Sequence, residues 1–335
     1  MTIVRTLEDL STALCGRHFL ATMGFFDGVH LGHRRLIEEL AVRAASEGKK
    51  SVILALDRPF SSAVRPDLPF APGLLTSLSQ KIELLAALPG DLLFVIPFTK
   101  EVALMTLRDF TVPLIRMGMT GMILGYDNRF GSNAAALPFP DFDRRLRDLG
   151  LTADRIPRFV AEGIPVSSSA VRELVRGGDF ETAAVLLGRP FSIRGTVRPG
   201  RRIGHTIDYP TANIFPEEPQ TLLPRDGVFV SLVRTGEGQG TTYPAMSYYG
   251  SSPTVAGAEG EKRIEAHLFD FDGNLYGLPA EISFLHRLRG DIRFPSLEAL
   301  RDRLAIDREE ALAYFRRLAV SGFPKVGGQS ERSEI

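Results

Sequence analysis

The sequence predicts an α/β parallel sheet followed by a small antiparallel β-barrel with a C-terminal helix. Three observations carry this expectation. Through the first half of the 335 residues, short apolar runs alternate with stretches of helical periodicity, the βα rhythm of a helix-covered parallel sheet. From Phe191 onward, short strand-like runs are separated by Gly, Pro and Asp, as in a small barrel. Ser296 then precedes a long amphipathic stretch to about Leu318, with the serine as N-cap and Leu297, Leu300, Leu304 and Ala311 facing inward.

The elements follow in order. His18–Met23 reads as a buried strand, and the run from Arg34 as a helix with Leu36, Ile37, Leu40 and Ala44 on one face. Ser51–Leu56, Asp91–Ile96 and Gly121–Gly125 read as further strands, with helices over Leu78–Leu88 and Leu107–Met117. Ala170–Arg176 is a short helix capped by Ser168 or Ser169 and ended by Gly177-Gly178. The barrel strands are expected at Ser192–Val197, Gly227–Arg234, Thr242–Tyr249, Arg263–Phe271 and Ala280–Leu288. Asp270-Phe-Asp-Gly-Asn274 lacks the twelve-residue spacing of a calcium loop and reads as a tight hairpin turn. This gives modules at 1–187 and 188–320, with a tail at 321–335 expected to be disordered.

Composition narrows the function. Forty basic residues balance forty acidic ones, so no charge footprint points to nucleic acid or an anionic membrane. No apolar run is long enough for a membrane span, and the N-terminus lacks a signal-peptide core. The single cysteine, Cys15, excludes an internal disulfide and a cysteine-based zinc site, reads as a core or inert thiol, and fits the cytoplasm. Oligomeric state is left open.

Two runs carry chemistry. In Met23-Gly24-Phe25-Phe26-Asp27-Gly28-Val29-His30-Leu31-Gly32-His33, a glycine-rich turn joins a strand to a helix N-terminus. Backbone N–H groups and the helix dipole favour an anion there, and His30 and His33 can hydrogen-bond phosphate oxygens as charge develops. Ser167-Ser168-Ser169 with Arg172 adds hydroxyls and a guanidinium on one helix face. The second run is Gly195 to Asn213. Gly195, Gly200 and Gly204 let the backbone approach a phosphate closely, although a hairpin turn explains them almost as well. Thr211 and Asn213 offer the hard oxygen ligands that Mg²⁺ prefers. In Arg263-Ile-Glu265-Ala-His267, strand alternation puts Glu265 and His267 on one face.

His30-x-Gly32-His33 is the H-x-G-H signature of nucleotidyltransferases. Together with Gly125-Tyr-Asp127-Asn-Arg-Phe130-Gly131 and Ser167–Arg172, it resembles the adenylyltransferase module of bacterial bifunctional riboflavin kinase/FAD synthetases. Pro210-Thr-Ala-Asn213 and the Glu-x-His strand resemble the riboflavin kinase module of the same family. The resemblance implies a nucleotidyltransferase-like sheet and a riboflavin kinase-like barrel. It implies ATP-dependent phosphorylation of riboflavin to FMN and adenylylation of FMN to FAD, both with Mg²⁺. Gly24, Phe25, Gly28, Gly32, the three serines and Arg172 would then handle ATP phosphates. Asp127, Phe130 and Gly131 would lie at the flavin, and Glu265 would accept the ribityl hydroxyl proton. The chain departs from the family pattern at Ala55-Leu-Asp-Arg-Pro-Phe60, which lacks the usual histidine, at Asn128, at Ile207-Asp208, and at Tyr248 and Ser252. Two alternatives stand beside the bifunctional reading: one active module, the adenylyltransferase, or a flavin- or nucleotide-binding protein without turnover.

Overall fold

The computed structural model describes residues 1–65, 70, 72–200, 209–236, 240–251 and 262–320. Gly204, Asp208, Ser252 and the tail at 321–335 lie outside the described residues. Two compact units meet at Ala170/Val171.

The first unit contains β1 (Thr2–Val4), α1 (Leu7–Leu14), β2 (Phe19–Gly24), α2 (Leu31–Ser46), β3 (Lys50–Leu56), α3 (Phe60–Val64), α4 (Leu78–Ala86), β4 (Leu92–Ile96), α5 (Lys100–Leu104), α6 (Leu107–Arg116), β5 (Met119–Leu124), α7 (Phe139–Asp148) and β6 (Thr152–Arg155), with a small hairpin of β7 (Val160–Ala161) and β8 (Ile164–Pro165). Six strands pair in parallel in the order β1-β4-β3-β2-β5-β6. Strand alternation splits the apolar side chains between two faces. Phe19, Ala21, Met23, Val52, Leu54 and Phe94 pack with α1, α6 and α7. Leu20, Ile53, Ala55, Leu93, Val95 and Ile123 pack with α2 and α4. The residues expected to face inward on α2, Leu36, Ile37, Leu40 and Ala44, are those buried. From β2 the chain runs through β3 and β4 to one side, then through β5 and β6 to the other. The carboxyl ends of β2 and β5 therefore flank the switch point where ligands bind on such sheets.

The second unit follows. Helix α8 (Ser168–Gly177) spans the division, then come α9 (Phe180–Leu187), β9 (Phe191–Arg198), β10 (Ala212–Pro216), β11 (Gly227–Thr235), β12 (Thr241–Gly250), β13 (Arg263–Leu268), β14 (Pro279–Gly290) and α10 (Leu297–Val320). The strands close a barrel in the order β10-β13-β12-β11-β14-β9. Helix α9 belongs to it: Phe180 stacks with Phe191 and Phe284 at centroid distances of 6.4 and 5.3 Å and meets Phe229 edge-on. The change of pattern at 188 thus marks the first barrel strand, while the barrel's packing begins earlier.

Several local expectations are corrected. Strand β10, bounded by Pro210 and Pro216, is a sixth barrel strand that the pattern did not reveal. Asp270–Asn274 is not a hairpin turn, because β13 and β14 are not neighbours in the barrel. Leu297 is exposed, and α10 packs through Leu304, Ala311, Leu312, Tyr314, Phe315 and Leu318. Cys15 is no core residue: it is exposed and caps the C-terminus of α1 with φ 49°. Ser296 does cap α10, accepting from Ala299 N at 3.1 Å.

Helix α10 is held by a buried carboxylate. Asp307, wholly inaccessible to solvent, accepts from Arg289 Nη2 at 2.7 Å and Nε at 2.9 Å, and from Arg303 Nε at 2.9 Å. Removing it leaves the Arg289 side chain, 11% exposed, as an uncompensated charge. Asp307→Ala is expected to destabilise the protein by about 3–5 kcal/mol, read as a lower midpoint in denaturant unfolding followed by circular dichroism.

Candidate functional site

The turn after β2 is held in an uncommon backbone conformation. Phe26 and Val29 have φ of 52° and 41°, and Gly28 has φ 80°. For a β-branched residue such as Val29 this is a strained region. The strain is offset by burial, since both side chains sit in the apolar cluster under α2. His30 caps α2, its Nδ1 accepting from His33 N at 3.3 Å. The absent side chain of Gly32 makes room for that ring, because a Cβ there would lie 3.3 Å from it. The two imidazoles stack with centroids 3.6 Å apart and planes 16° apart, and Phe26 meets His33 edge-on. Burial first, then electrostatic coupling to the stacked His30 ring and to the Lys81 ammonium, hold the pKa of His33 well below its usual value. Its Nδ1 is buried and has no hydrogen-bond partner among the described residues.

No sequence pattern marks Asp27 as functional, yet it braces this turn. Its buried carboxylate accepts from Leu75 N at 3.0 Å and Thr76 N at 3.2 Å, while Gly28 N donates to Thr76 Oγ1 at 3.2 Å. Its carbonyl accepts from Ser168 Oγ at 2.9 Å. The serine run therefore divides its work. Ser167, not Ser168 or Ser169, caps α8, accepting from Ala170 N at 3.2 Å. Ser168 ties α8 to the turn after β2, and Ser169 is exposed. Arg172 is buried one turn further along α8. Lys81 is a second missed residue. It lies on α4 among positions whose spacing demands apolar side chains, and that conflict was its available signal.

The loop after β5 is clamped at both ends. Asn128 Nδ2 donates to Met23 O, and Arg155 donates to Gly125 O at 2.8 Å and Asn128 O at 3.0 Å. The departure at Asn128 thus joins this loop to β2. Asp127 is exposed. Phe130 is buried between Phe110 and Phe142, both at 5.5 Å, and a Cβ on Gly131 would lie 2.6 Å from Leu107 N. Both residues shape the loop from beneath. At the segment lacking the family histidine, Asp57 accepts from Phe98 N at 2.9 Å.

In the barrel, register aligns Arg198, Asn213, Glu265 and Tyr248 across four neighbouring strands. Directly opposed residues on adjacent strands present their side chains to the same face. Thr211 Oγ1 lies 3.4 Å from Glu265 Oε2. Asn213 Oδ1 is buried and accepts no hydrogen bond among the described residues. The backbone at Gly200 does close over this site, since a Cβ there would fall 2.3 Å from Asn213 Nδ2. Gly195 has a different reason: inside β9, a Cβ would fall 2.2 Å from Phe215 O, so its absence serves barrel packing. His267 Nδ1–H donates to Pro210 O at 2.9 Å, and burial lowers the pKa of its ring. Burial and Asp291, to which its hydroxyl donates at 3.2 Å, push the Tyr248 phenol strongly upward. Beside Thr211 opens a cavity of about 500 Å³, walled by Val197, Ala266, Leu268, Phe271, Asn274 and Tyr276. The Asp270–Asn274 connection between β13 and β14 is therefore one wall of it.

These constellations coincide with known families. A family model described as FAD synthetase matches residues 15–170, and one described as riboflavin kinase matches residues 187–315. The bifunctional riboflavin kinase/FMN adenylyltransferase of Listeria monocytogenes is 30% identical over 303 residues, which cover 88% of this chain and 92% of the relative. That of Haemophilus influenzae is 30% identical over 94% of this chain and 99% of its own length. That of Pseudomonas fluorescens is 31% identical, with 93% and 97% covered. A solved structure described as a macrolide-efflux protein from Streptococcus pneumoniae matches with TM-score 0.76 and 26% identity over 92% of this chain and 97% of that one. Among the described residues, no helix is long and apolar enough to cross a membrane. Identity of this level over nearly the full length of the relatives, with both domains present in order, places the chain in the bifunctional riboflavin kinase/FMN adenylyltransferase family.

Proposed function

We propose that this chain makes both flavin cofactors in succession, phosphorylating riboflavin with ATP to FMN and then transferring AMP from a second ATP to FMN to yield FAD and pyrophosphate. The observation that carries this reading is the presence of two separate anion-handling constellations, each in a unit matched by its own family model. The activities divide along the chain as 1–187 for adenylylation and 188–320 for phosphorylation, with α9 built into the barrel.

In the first unit, an FMN phosphate oxygen attacks the α-phosphorus of ATP and pyrophosphate leaves. Nothing covalent forms on the protein, so catalysis is positioning and charge stabilisation. His30 and His33 hydrogen-bond the triphosphate as charge shifts to the leaving group. The backbone from Gly24 and Phe25 through Gly28 to Gly32 lines that anion, with Ser167, Ser169 and Arg172 on α8 contributing hydroxyls and a guanidinium, and Ser168 bracing the turn. Asp127 faces the flavin, and Phe130 and Gly131 hold its loop.

In the barrel, Glu265 accepts the proton of the riboflavin hydroxyl as its oxygen attacks the γ-phosphorus and ADP leaves. The cavity beside Thr211 suits the ATP base in size and apolar lining. Gly200 lets backbone approach the phosphates, with Gly195 supporting the strand beneath. The chemistry of the site fits Mg²⁺: Thr211 Oγ1, Asn213 Oδ1, which accepts no hydrogen bond among the described residues, and the nearby Glu265 are all hard oxygen donors. Thr211 and Asn213 would hold the ion, which when bound neutralises phosphate charge. We place the protein in the cytoplasm, a reading supported by its single cysteine.

The decisive experiment incubates the full-length protein with riboflavin, ATP and Mg²⁺ and separates FMN from FAD over time. FMN appearing first and FAD second is expected, and absence of either product removes that activity from the reading. His33→Ala should slow FAD formation from supplied FMN about 10²–10³-fold with riboflavin phosphorylation intact. Glu265→Gln should do the opposite, lowering phosphorylation about 10²–10⁴-fold while FAD formation from FMN stays near wild type.

A further inference from the structure

Lys81 is a buried lysine at the ligand-binding end of the sheet. Only 2% of it is exposed. A lysine usually extends its flexible stem until the ammonium reaches water, and burying that charge is costly. Here the charge is kept inside. Nζ donates to the carbonyl of Leu56, the last residue of β3, at 2.7 Å. It also sits 4.0 Å from the ring centroid of Phe25, the first residue after β2, a cation–π contact strengthened by desolvation. The ammonium therefore links the carboxyl ends of two adjacent strands where the phosphate turn begins. Its field reaches both the Asp57 carboxylate and the His33 imidazole. A methionine would fill the same volume at no electrostatic cost, so packing alone does not account for a cation here.

We propose that Lys81 is a positioning residue for adenylyl transfer: its ammonium ties the end of β3 to the Phe25 side of the phosphate turn and sets the electrostatic field in which the stacked His30–His33 pair meets the triphosphate. This rests on the adenylyltransferase reading of the first unit. Among the described residues, the titratable groups acting on His33 are the stacked His30 ring on the same turn and Lys81 on α4. Both oppose protonation of His33, so it stays a neutral hydrogen-bonding imidazole around neutral pH. Without Lys81, burial and His30 still oppose the imidazolium, but less strongly, and protonation moves to higher pH.

The test compares Lys81→Met, which keeps length and removes charge, with Lys81→Arg, which keeps charge, in the full-length protein. FAD formation from supplied FMN is measured against pH, riboflavin phosphorylation is followed in the same preparations, and the His33 ring signal is titrated by NMR. For Lys81→Met, FAD formation should fall about tenfold or more, phosphorylation should be unchanged, and His33 should protonate at higher pH. For Lys81→Arg, His33 should titrate as in the wild type. A Met variant with wild-type FAD formation overturns the proposal. So does one whose rate falls while the His33 titration stays in place, since that is a packing effect. Should the Met variant not fold, a shifted His33 titration in the Arg variant overturns the proposal, and a wild-type titration there supports it. If the wild-type protein makes no FAD from FMN, the function assigned to this unit falls instead.

Discussion

The turn after β2 depends on the buried carboxylate of Asp27. Two non-glycine residues of that turn, Phe26 and Val29, sit at positive φ, a conformation that persists only when the surroundings over-determine it. Asp27 supplies much of that determination from the polar side. It gathers the N–H groups of Leu75 and Thr76, and through its carbonyl the hydroxyl of Ser168. Burial of Phe26 and Val29 supplies the rest from the apolar side. The hydrogen bonds reach partners 48 and 141 residues away in sequence, so the geometry of a six-residue turn is set by the folding of the whole unit.

The barrel solves a related problem with a different device. Among the described residues it has no helix N-terminus at its proposed phosphate site. Register instead places Arg198, Asn213, Glu265 and Tyr248 in one row across four strands. A slip of one residue in β10 or β13 would turn its member of that row to the other face of the barrel. The close approach of Phe215 O at Gly195 and of Asn213 at Gly200 works against such a slip, because both contacts exist only without a Cβ. Positioning is therefore carried by the sheet ladder, and the side chains need little further support.

Legibility in the sequence followed the range of the interactions. Local periodicity located the five longer barrel strands and the central strands of the sheet, and on α2 it named the buried face correctly. The His30–His33 pair and the Pro210–Asn213 tetrad were readable because their groups lie within a few residues of one another. What escaped has distant causes. Strand β10 is defined by partners in β9 and β13 rather than by its own pattern, which prolines bound. The turn-like composition of Asp270–Asn274 suggested a hairpin, but barrel order makes it a crossing and a cavity wall. Ser168 looked like a cap by position, whereas contact with Asp27 gave it another task and left the cap to Ser167. Phe130 matched a flavin loop by spelling, and only packing reveals it as the anchor under that loop.

Both sites share one electrostatic principle. In each, a histidine that could change charge near neutral pH is biased towards its neutral form. In the first unit, burial, the stacked His30 ring and the Lys81 ammonium all lower the pKa of His33. In the second, burial lowers His267, and its Nδ1–H is committed to the Pro210 carbonyl. Tyr248, a phenol protonated at neutral pH in any case, is pushed further upward and donates its hydroxyl to Asp291. Phosphoryl and adenylyl transfer move charge between phosphate oxygens without needing covalent help from the protein. A site for such chemistry gains from dipoles and charges that do not reorganise as the reaction proceeds. Histidines biased towards one protonation state, a turn over-determined by Asp27 and a row fixed by strand register are three ways of meeting that one requirement.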